Sequence, residues 1–157
     1  MNGCIHLIIV FLGLVSLSFQ GCSGGDIGGG TLHYKEITMR LPKGWQEINQ
    51  GVFSAGPSSN GTIMSYDMRG KTIQQLVNDT IGKEGAKVSK KAFKIDGLDA
   101  IELIIDSGYG GTTLELYIAN DKKIIIVSMT TPNERFQKER TIFQEIYKTI
   151  KINRDGK

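Results

Sequence analysis

Residues 98–127 read LDAIELIIDSGYGGTTLELYIANDKKIIIV, and this stretch decides the fold. In its first two thirds apolar side chains recur at every second position, a period that predicts half-buried strands. The Gly-rich segment 107–111 and the pair Asn120-Asp121 divide the stretch into three strands joined by turns. The third strand, 124–127, is apolar on both faces. We therefore expect it at the centre of a sheet that is covered on both sides.

Further strands are predicted on the N-terminal side of this block. Alternating apolar residues indicate a first strand at 37–41, a second extended segment at 45–53 and a third strand at 62–68. In the third strand, Met64, Tyr66 and Met68 share one face. A strand at 88–95 carries several lysines, which favours a place at the edge of the sheet, where charge discourages the addition of a further strand.

Two helices are predicted by a change of period and by their start signals. Thr72 and Gln75 have the spacing of a capping box, and the helix that follows ends at Gly82. The segment Thr131-Pro132-Asn133-Glu134 predicts a second capping box, with proline in the first helical position. The apolar faces of the two helices consist of Ile73, Leu76, Val77 and Ile81 in the first, and Phe136, Phe143, Ile146 and Ile150 in the second.

The resulting order, βββ-α-ββββ-α, predicts the α+β class, with a mainly antiparallel sheet flanked by helices. Pro42, Gly44 and Trp45 follow the first strand, and a mid-chain helix, a block of hairpin strands and a C-terminal helix come after them. In this order and spacing, residues 33–152 resemble the PsbP-like family of small α/β domains, which includes bacterial lipoproteins similar to DcrB. The resemblance implies an α/β/α sandwich and an accessory or assembly role without catalysis, and it transfers no functional residue.

The N-terminal segment has the features of an export signal. Residues 5–19 form an almost uninterrupted apolar run, shorter than the roughly 20 residues of a transmembrane helix. Gly21 and Cys22 follow, and here the sequence resembles the lipobox of bacterial lipoproteins. The resemblance implies that Cys22 receives the lipid and that the protein is exported and anchored to the bacterial cell membrane. Ser23 resembles the arrangement that permits transport to the outer membrane in diderm bacteria. An uncleaved anchor or a secretory signal without lipid is the alternative.

The predicted organisation has three parts. A lipoprotein signal peptide occupies residues 1–21, the lipidated cysteine and a Gly-rich tether occupy residues 22–32, and a single domain occupies residues 33–157. Cys4 would leave with the signal, so the mature domain has no thiol available for a disulfide. We expect a monomer that meets the membrane through its lipid and has an envelope protein as its partner.

Composition and side-chain inventory argue against several function classes. With 39% hydrophobic and 22% charged residues and a net charge of +3, the chain is globular and lacks the positive surplus of a nucleic-acid-binding protein. Gly70-Lys71-Thr72 resembles the end of a phosphate-binding loop, but the glycine needed five residues earlier is Ser65. The mature chain has one histidine, His33, so we predict no catalytic residue, no metal and no cofactor. Glu102 and Asp106 could form an acid–base pair, but we expect them on the solvent face.

Two features are candidate interaction surfaces. Lysines crowd one stretch of the chain, and they form either a solvated sheet edge or a surface for anionic lipid head groups. Tyr109 lies among glycines at a hairpin tip, where an aromatic side chain either anchors a partner or packs back onto the sheet. The lysines are Lys83, Lys87, Lys90, Lys91 and Lys94.

Three hypotheses for the function follow. The first is a lipid-anchored envelope protein whose domain is a non-catalytic accessory or binding module. The second is a binding protein that holds a small apolar molecule between sheet and helix, in a cavity lined by Leu116, Phe143 and Tyr147. The third is an enzyme that lacks the recognisable side-chain patterns.

Overall fold

A computed structural model of the protein describes residues 29–82, 87–106, 108 and 110–154. This part of the chain contains ten strands and two helices. In chain order they are β1 (Gly30–Tyr34), β2 (Ile37–Leu41), β3 (Gln46–Asn49), β4 (Val52–Ser54), β5 (Asn60–Asp67), α1 (Ile73–Ile81), β6 (Lys87–Ile95), β7 (Leu98–Asp106), β8 (Gly111–Asn120), β9 (Lys123–Pro132), α2 (Asn133–Thr149) and β10 (Lys151–Ile152).

The strands form two antiparallel sheets. The larger sheet has seven strands in the order β3-β4-β5-β9-β8-β7-β6, and the smaller one has the order β1-β2-β10. β9 is the middle strand of the seven, which confirms the central position predicted for residues 124–127. β6 is an edge strand, as its lysines predicted. The predicted α+β class with antiparallel sheets and two flanking helices is confirmed.

The two helices cover opposite faces of the larger sheet. Leu116 of β8 belongs to the same buried cluster as Phe143 of α2, whereas its neighbour Tyr117 belongs to a second cluster with Val77 of α1. Successive side chains of a strand point to opposite faces, so the inward residues of the central strands belong alternately to the α2-side and the α1-side cluster. The resulting three layers are the sandwich that the resemblance to PsbP-like domains implied.

The smaller sheet includes residues that the sequence placed in the tether. β1 begins at Gly30 and pairs with β2 along its whole length. Leu32 in this strand is fully buried in the core. Its burial explains why residues 30–32, despite their Gly-rich surroundings, belong to a hairpin. β10 pairs with β2 on the other side, where Ile152 lies opposite Ile37.

Two details of the N-terminal strands differ from the predictions. Residues 45–53 form a hairpin, β3 and β4, and Gly51 turns the chain with φ +71°. In β5 the buried apolar side chain is Ile63, whereas Tyr66 on the other face is 50% exposed. The cause is the short helix α1, which packs on β7 and β8 and leaves this part of the sheet uncovered.

One predicted helix start is confirmed and the other is wrong. The Thr72 hydroxyl accepts from Gln75 N at 3.2 Å, and the Gln75 side chain accepts from Thr72 N at 2.8 Å, which completes a capping box. At the second helix, β9 continues through Pro132, which is the N-cap and makes no side-chain cap bond. Thr131 is 1% exposed, and its hydroxyl lies 3.3 Å from Ser59 Oγ. It is engaged in a buried network and does not cap the helix.

Candidate functional site

A groove of about 450 Å³ opens between the edge of the larger sheet and α2. Lys91, Phe93 and Ile95 of β6 form the sheet wall together with Glu102 of β7. The helix wall includes Gln144, Tyr147 and Lys148. The volume lies within the range of small-molecule sites, which is about 300–1,000 Å³.

The strand period determines which residues of β6 face this groove. Lys91, Phe93 and Ile95 are alternate residues, so all three point towards α2. The centroids of the Phe93 and Tyr147 rings are 6.2 Å apart, and the ring planes make an angle of 32°. Because β6 is the last strand of the sheet, this wall of the groove is open to solvent on its outer side.

Buried polar groups lie beneath the apolar wall. Glu102 is 4% exposed, and its Oε1 lies 3.8 Å from Nη2 of Arg140 in α2. The Tyr147 hydroxyl and the Arg140 Nε are buried, and neither has a hydrogen-bond partner in the part of the chain that the structure describes. Burial raises the pKa of Tyr147 well above 10.0, the negative charge of Glu102 raises it further, and Arg140 partly opposes both. The phenol is therefore a protonated donor at neutral pH.

The charges around the groove are almost completely paired. Lys148 Nζ lies 2.6 Å from Glu145 Oε1, and Lys94 Nζ lies 2.8 Å from Asp99 Oδ1. Lys91 is opposite Glu102 in the strand register, but its ammonium has no ion-pair or hydrogen-bond partner among residues 29–82, 87–106, 108 and 110–154.

The turn between β6 and β7 connects β10 to the groove. Asp96 Oδ2 accepts from Ile152 N at 2.9 Å, and Asp96 Oδ1 lies 3.4 Å from Lys151 Nζ. The backbone bond from Ile152 is the main cause that holds the pKa of Asp96 below 3.8. Burial opposes it by raising the pKa, and the charges of Lys151 and Arg154 lower the pKa further. Arg154 also donates to the Asp96 carbonyl oxygen. One carboxylate thus connects β10 with the sheet edge.

The structure changes the interpretation of Glu102 and Asp106. The sequence placed both carboxylates on the solvent face, but α2 covers the position of Glu102. Asp106 lies four residues further along the same strand, about 13 Å away at the usual rise per residue, and accepts from Gly108 N at 3.0 Å. The two groups do not form an acid–base pair.

The cavity expected for an apolar ligand is also placed differently. Leu116 and Phe143 are fully buried in the core between sheet and helix, and neither lines the groove. Tyr147 alone of the three predicted residues lines it. The open space is therefore at the sheet edge, beside the packed core.

The lysines predicted as an interaction surface lie along β6. Lys87, Lys90 and Lys91 are all exposed. Lys90 Nζ lies 3.4 Å from Asn78 Oδ1 of α1, whereas Lys91 lines the groove beside α2. Their role as an interaction surface stays a prediction. Cys22, Lys83 and Tyr109, the other residues singled out in the sequence, lie outside the described residues.

The remaining candidate motifs have structural explanations. Lys71 Nζ forms an ion pair with Asp79 Oδ2 at 2.6 Å, and Thr72 caps α1. His33 lies in β1 with its Nδ1 at 3.0 Å from Thr38 Oγ1. Within the described ranges, no three His, Cys, Asp or Glu side chains come together as a group that could hold a metal ion. Neither of the two described helices has the length and apolar character needed to cross a membrane.

A second buried polar network was not predicted from the sequence. Ser59 is fully buried, and its hydroxyl donates to Glu139 Oε1 at 3.0 Å. Arg135 Nη2 lies 2.6 Å from the same oxygen. The spacing of Arg135 and Glu139 on one helix was a visible signal, but Ser59 comes from a distant loop. This network joins α2 to the segment between β4 and β5.

Comparison with known structures places the fold. The solution structure of cyanobacterial PsbP from Synechocystis sp. PCC 6803 matches with a TM-score of 0.53 and 17% identity, over 75% of this chain and 87% of that chain. The crystal structure of PA94, a protein of unknown function from Pseudomonas aeruginosa, matches with a TM-score of 0.52 and 18% identity, over 76% of this chain and 94% of that chain. No protein-family profile and no curated protein matches the sequence. The structural matches show that the domain has a PsbP-like fold.

Proposed function

We propose that the chain is a lipid-anchored protein of the bacterial cell envelope and that its PsbP-like domain is a non-catalytic binding module. The anchor is supported by the apolar run at 5–19 and by Gly21-Cys22 directly after it. β1 begins at Gly30, so a short Gly-rich segment separates the lipidated cysteine from the folded domain. Ser23 supports transport to the outer membrane where the organism has one.

The main support for a binding role is that the buried hydroxyl of Tyr147 has no hydrogen-bond partner among the described residues. Buried polar groups in folded proteins almost always have a hydrogen-bond partner, and an unpaired one costs about 1–3 kcal/mol. Tyr147 lines a solvent-open groove, yet its hydroxyl is unpaired among the described residues. Because this hydroxyl is buried, a bound molecule supplies the missing partner when its acceptor atom enters beneath the surface of the groove.

The residues of the groove support binding more than catalysis. Among its described lining residues there is no Ser, Thr, Cys or His, so no hydroxyl or thiol of these residues stands next to a general base. Glu102 faces the Arg140 guanidinium, and Tyr147 keeps its proton. The resemblance to PsbP-like domains, which implies accessory roles, points the same way.

Metabolic labelling with a fatty-acid analogue tests the anchor. Cells would express the full chain as wild type, as Cys22→Ala and as Cys4→Ala. We expect label on the wild type and on Cys4→Ala, and no label on Cys22→Ala, which would be released from membranes or remain an unprocessed precursor. An unlabelled wild-type band would refute the lipid anchor.

Native mass spectrometry of the membrane-extracted chain tests the binding module. We expect the wild type to retain a small molecule of discrete mass. Tyr147→Phe should lose most of it, and Tyr66→Phe should keep it, because Tyr66 lies on the opposite face and is 50% exposed. No adduct on the wild type, or equal retention by the two variants, would contradict binding in the groove.

A further inference from the structure

The wall of the groove offers an apolar surface beside the buried polar groups. Phe93 is half-buried, and its ring packs against that of Tyr147. Ile95 and Ile150 line the same space and are almost completely buried. Because Ile95 and Ile150 have little surface left to cover, the apolar surface available to a ligand is mainly that of Phe93, at about 25 cal/mol for each Å² removed from water. An apolar part of a ligand would therefore contact the Phe93 ring.

One of the cationic side chains around this wall has no ion-pair partner among the described residues. Each of the three carboxylates that line the groove has a cationic neighbour of its own. The ammonium of Lys91 has no ion-pair partner in the described part of the chain. Lys91 lies two positions from Phe93 on the same face of β6. The carboxylates and their partners are Asp96 with Lys151, Glu102 with Arg140, and Glu145 with Lys148.

The unpaired polar groups need an acceptor from the ligand. Of the residues that line the groove, Tyr147 has a hydroxyl without a described partner, and both this hydroxyl and the Lys91 ammonium can donate a hydrogen bond. We infer that the groove binds an amphiphilic anion, with its carboxylate or phosphate head towards Lys91 and Tyr147 and its apolar body on the half-buried ring of Phe93. This inference rests on the groove being the binding site proposed above.

Other head groups fit the same wall less well. A cationic head would add to the unpaired charge of Lys91 and leave the donors unsatisfied. A neutral sugar head supplies acceptors but leaves Lys91 without a counter-charge. The carboxylate of Glu102 does not reverse this preference, because Arg140 lies next to it.

Photoaffinity labelling of the full chain in membranes tests the ligand class. Three probes would share one short alkyl chain with a diazirine and differ in their heads, which are a carboxylate, a trimethylammonium group and a glucoside. We expect the carboxylate probe to label peptides from residues 91–95 and 144–151, at least fivefold more than the other two. Octanoate should compete if a free acid is the ligand, and phosphatidylglycerol should compete if a membrane lipid is.

Matched variants separate groove binding from general charge effects. Lys91→Gln and Tyr147→Phe should each reduce labelling by the carboxylate probe at least threefold. Lys90→Gln removes the same charge on the other face of the sheet and should label like the wild type. Thermal melting of each variant confirms that it is folded.

Three outcomes would overturn the inference. These are equal labelling by all three probes, equal loss in Lys90→Gln and Lys91→Gln, or undiminished labelling of Tyr147→Phe. If the native protein carries a Tyr147-dependent adduct while the carboxylate probe does not label the groove, the binding module stands and the amphiphilic anion is wrong. If neither is observed, both fail.

Discussion

Lys90 and Lys91 are neighbours in the chain, but their side chains lie on opposite faces of the larger sheet. Lys90 reaches Asn78 on α1, whereas Lys91 lines the groove beside α2. The positive charge of β6 is therefore divided between the two faces of one edge. A flat anionic surface contacts lysines of both faces only when the sheet meets it edge-on.

This geometry makes a prediction about vesicle binding. We expect a domain that begins at Gly29 to bind phosphatidylglycerol vesicles at low salt and to be released by added salt. Lys90→Gln and Lys91→Gln should each weaken binding about fivefold, since a lysine near an anionic surface contributes about 1 kcal/mol. Lys138→Gln on the exposed side of α2 is the control. Equal binding to anionic and neutral vesicles in a co-sedimentation assay would show that β6 is a solvated edge and does not bind anionic lipid.

The central strand gives a prediction about stability. Ile125 is fully buried on the α2 side, whereas Ile126 on the α1 side is half-buried. Ile125→Ala should lower the free energy of unfolding by about 2–5 kcal/mol, as large-to-small changes in a packed core do. Ile126→Ala should cost clearly less. Urea denaturation measures both, and equal losses would show that the two faces are equally covered.

The bond between Asp96 and Ile152 predicts a dependence on pH. The pKa of Asp96 is lower in the folded chain than in the unfolded one, so the charged form stabilises the fold above the unfolded pKa. That stabilisation disappears as the pH falls through the lowered folded pKa. Asp96→Asn keeps a residue type that tolerates the φ of +50° at this turn.

We expect Asp96→Asn to be about 1 kcal/mol less stable than the wild type at pH 7, and the difference to vanish at a pH below the folded pKa. Thermal or urea denaturation from pH 7 to pH 2 would measure it. The carboxyl of Glu36 also titrates in this range, but it is present in both chains and cancels in the comparison. A difference that is constant with pH would exclude the charge of Asp96 as its cause.

The two helix starts differ in how they respond to mutation. Thr72→Ala should destabilise the protein by about 1 kcal/mol and speed hydrogen exchange in the first turn of α1, because it removes a cap. Thr131→Val should leave exchange in the first turn of α2 unchanged, since Thr131 makes no cap bond there. Faster exchange at the start of α2 in Thr131→Val would show that Thr131 caps this helix, as the sequence predicted.

The pattern of the chain predicted much of the sheet and little of the groove. Strand 98–106 has the predicted bounds, and the fold is the PsbP-like one that order and spacing indicated. Alternation identifies a polar position in a strand, but it does not show whether a helix covers that position. For this reason Glu102 was expected in solvent. Arg140 and Tyr147 are far from Glu102 in sequence and meet it only through packing of α2.

The same reason explains the wrong helix cap. Thr131 has the residue type and spacing of a cap, so the local pattern fits. Its hydroxyl is instead held in the core beside Ser59, which comes from a loop between β4 and β5. A contact over such a separation leaves no local signal. Thr72 has no such competing partner and is exposed, so the local pattern was sufficient there.

The short strand β10 sets the order in which the protein can complete its fold. β2 receives its second neighbour only when Ile152 reaches Ile37, so one edge of β2 stays unpaired until almost the whole described chain has emerged. At a synthesis rate of roughly 5–20 residues per second, this delay is on the order of ten seconds. A truncated chain that ends within α2 would keep that edge open to aggregation and proteolysis. β10 therefore completes the smaller sheet only in molecules that extend through Ile152.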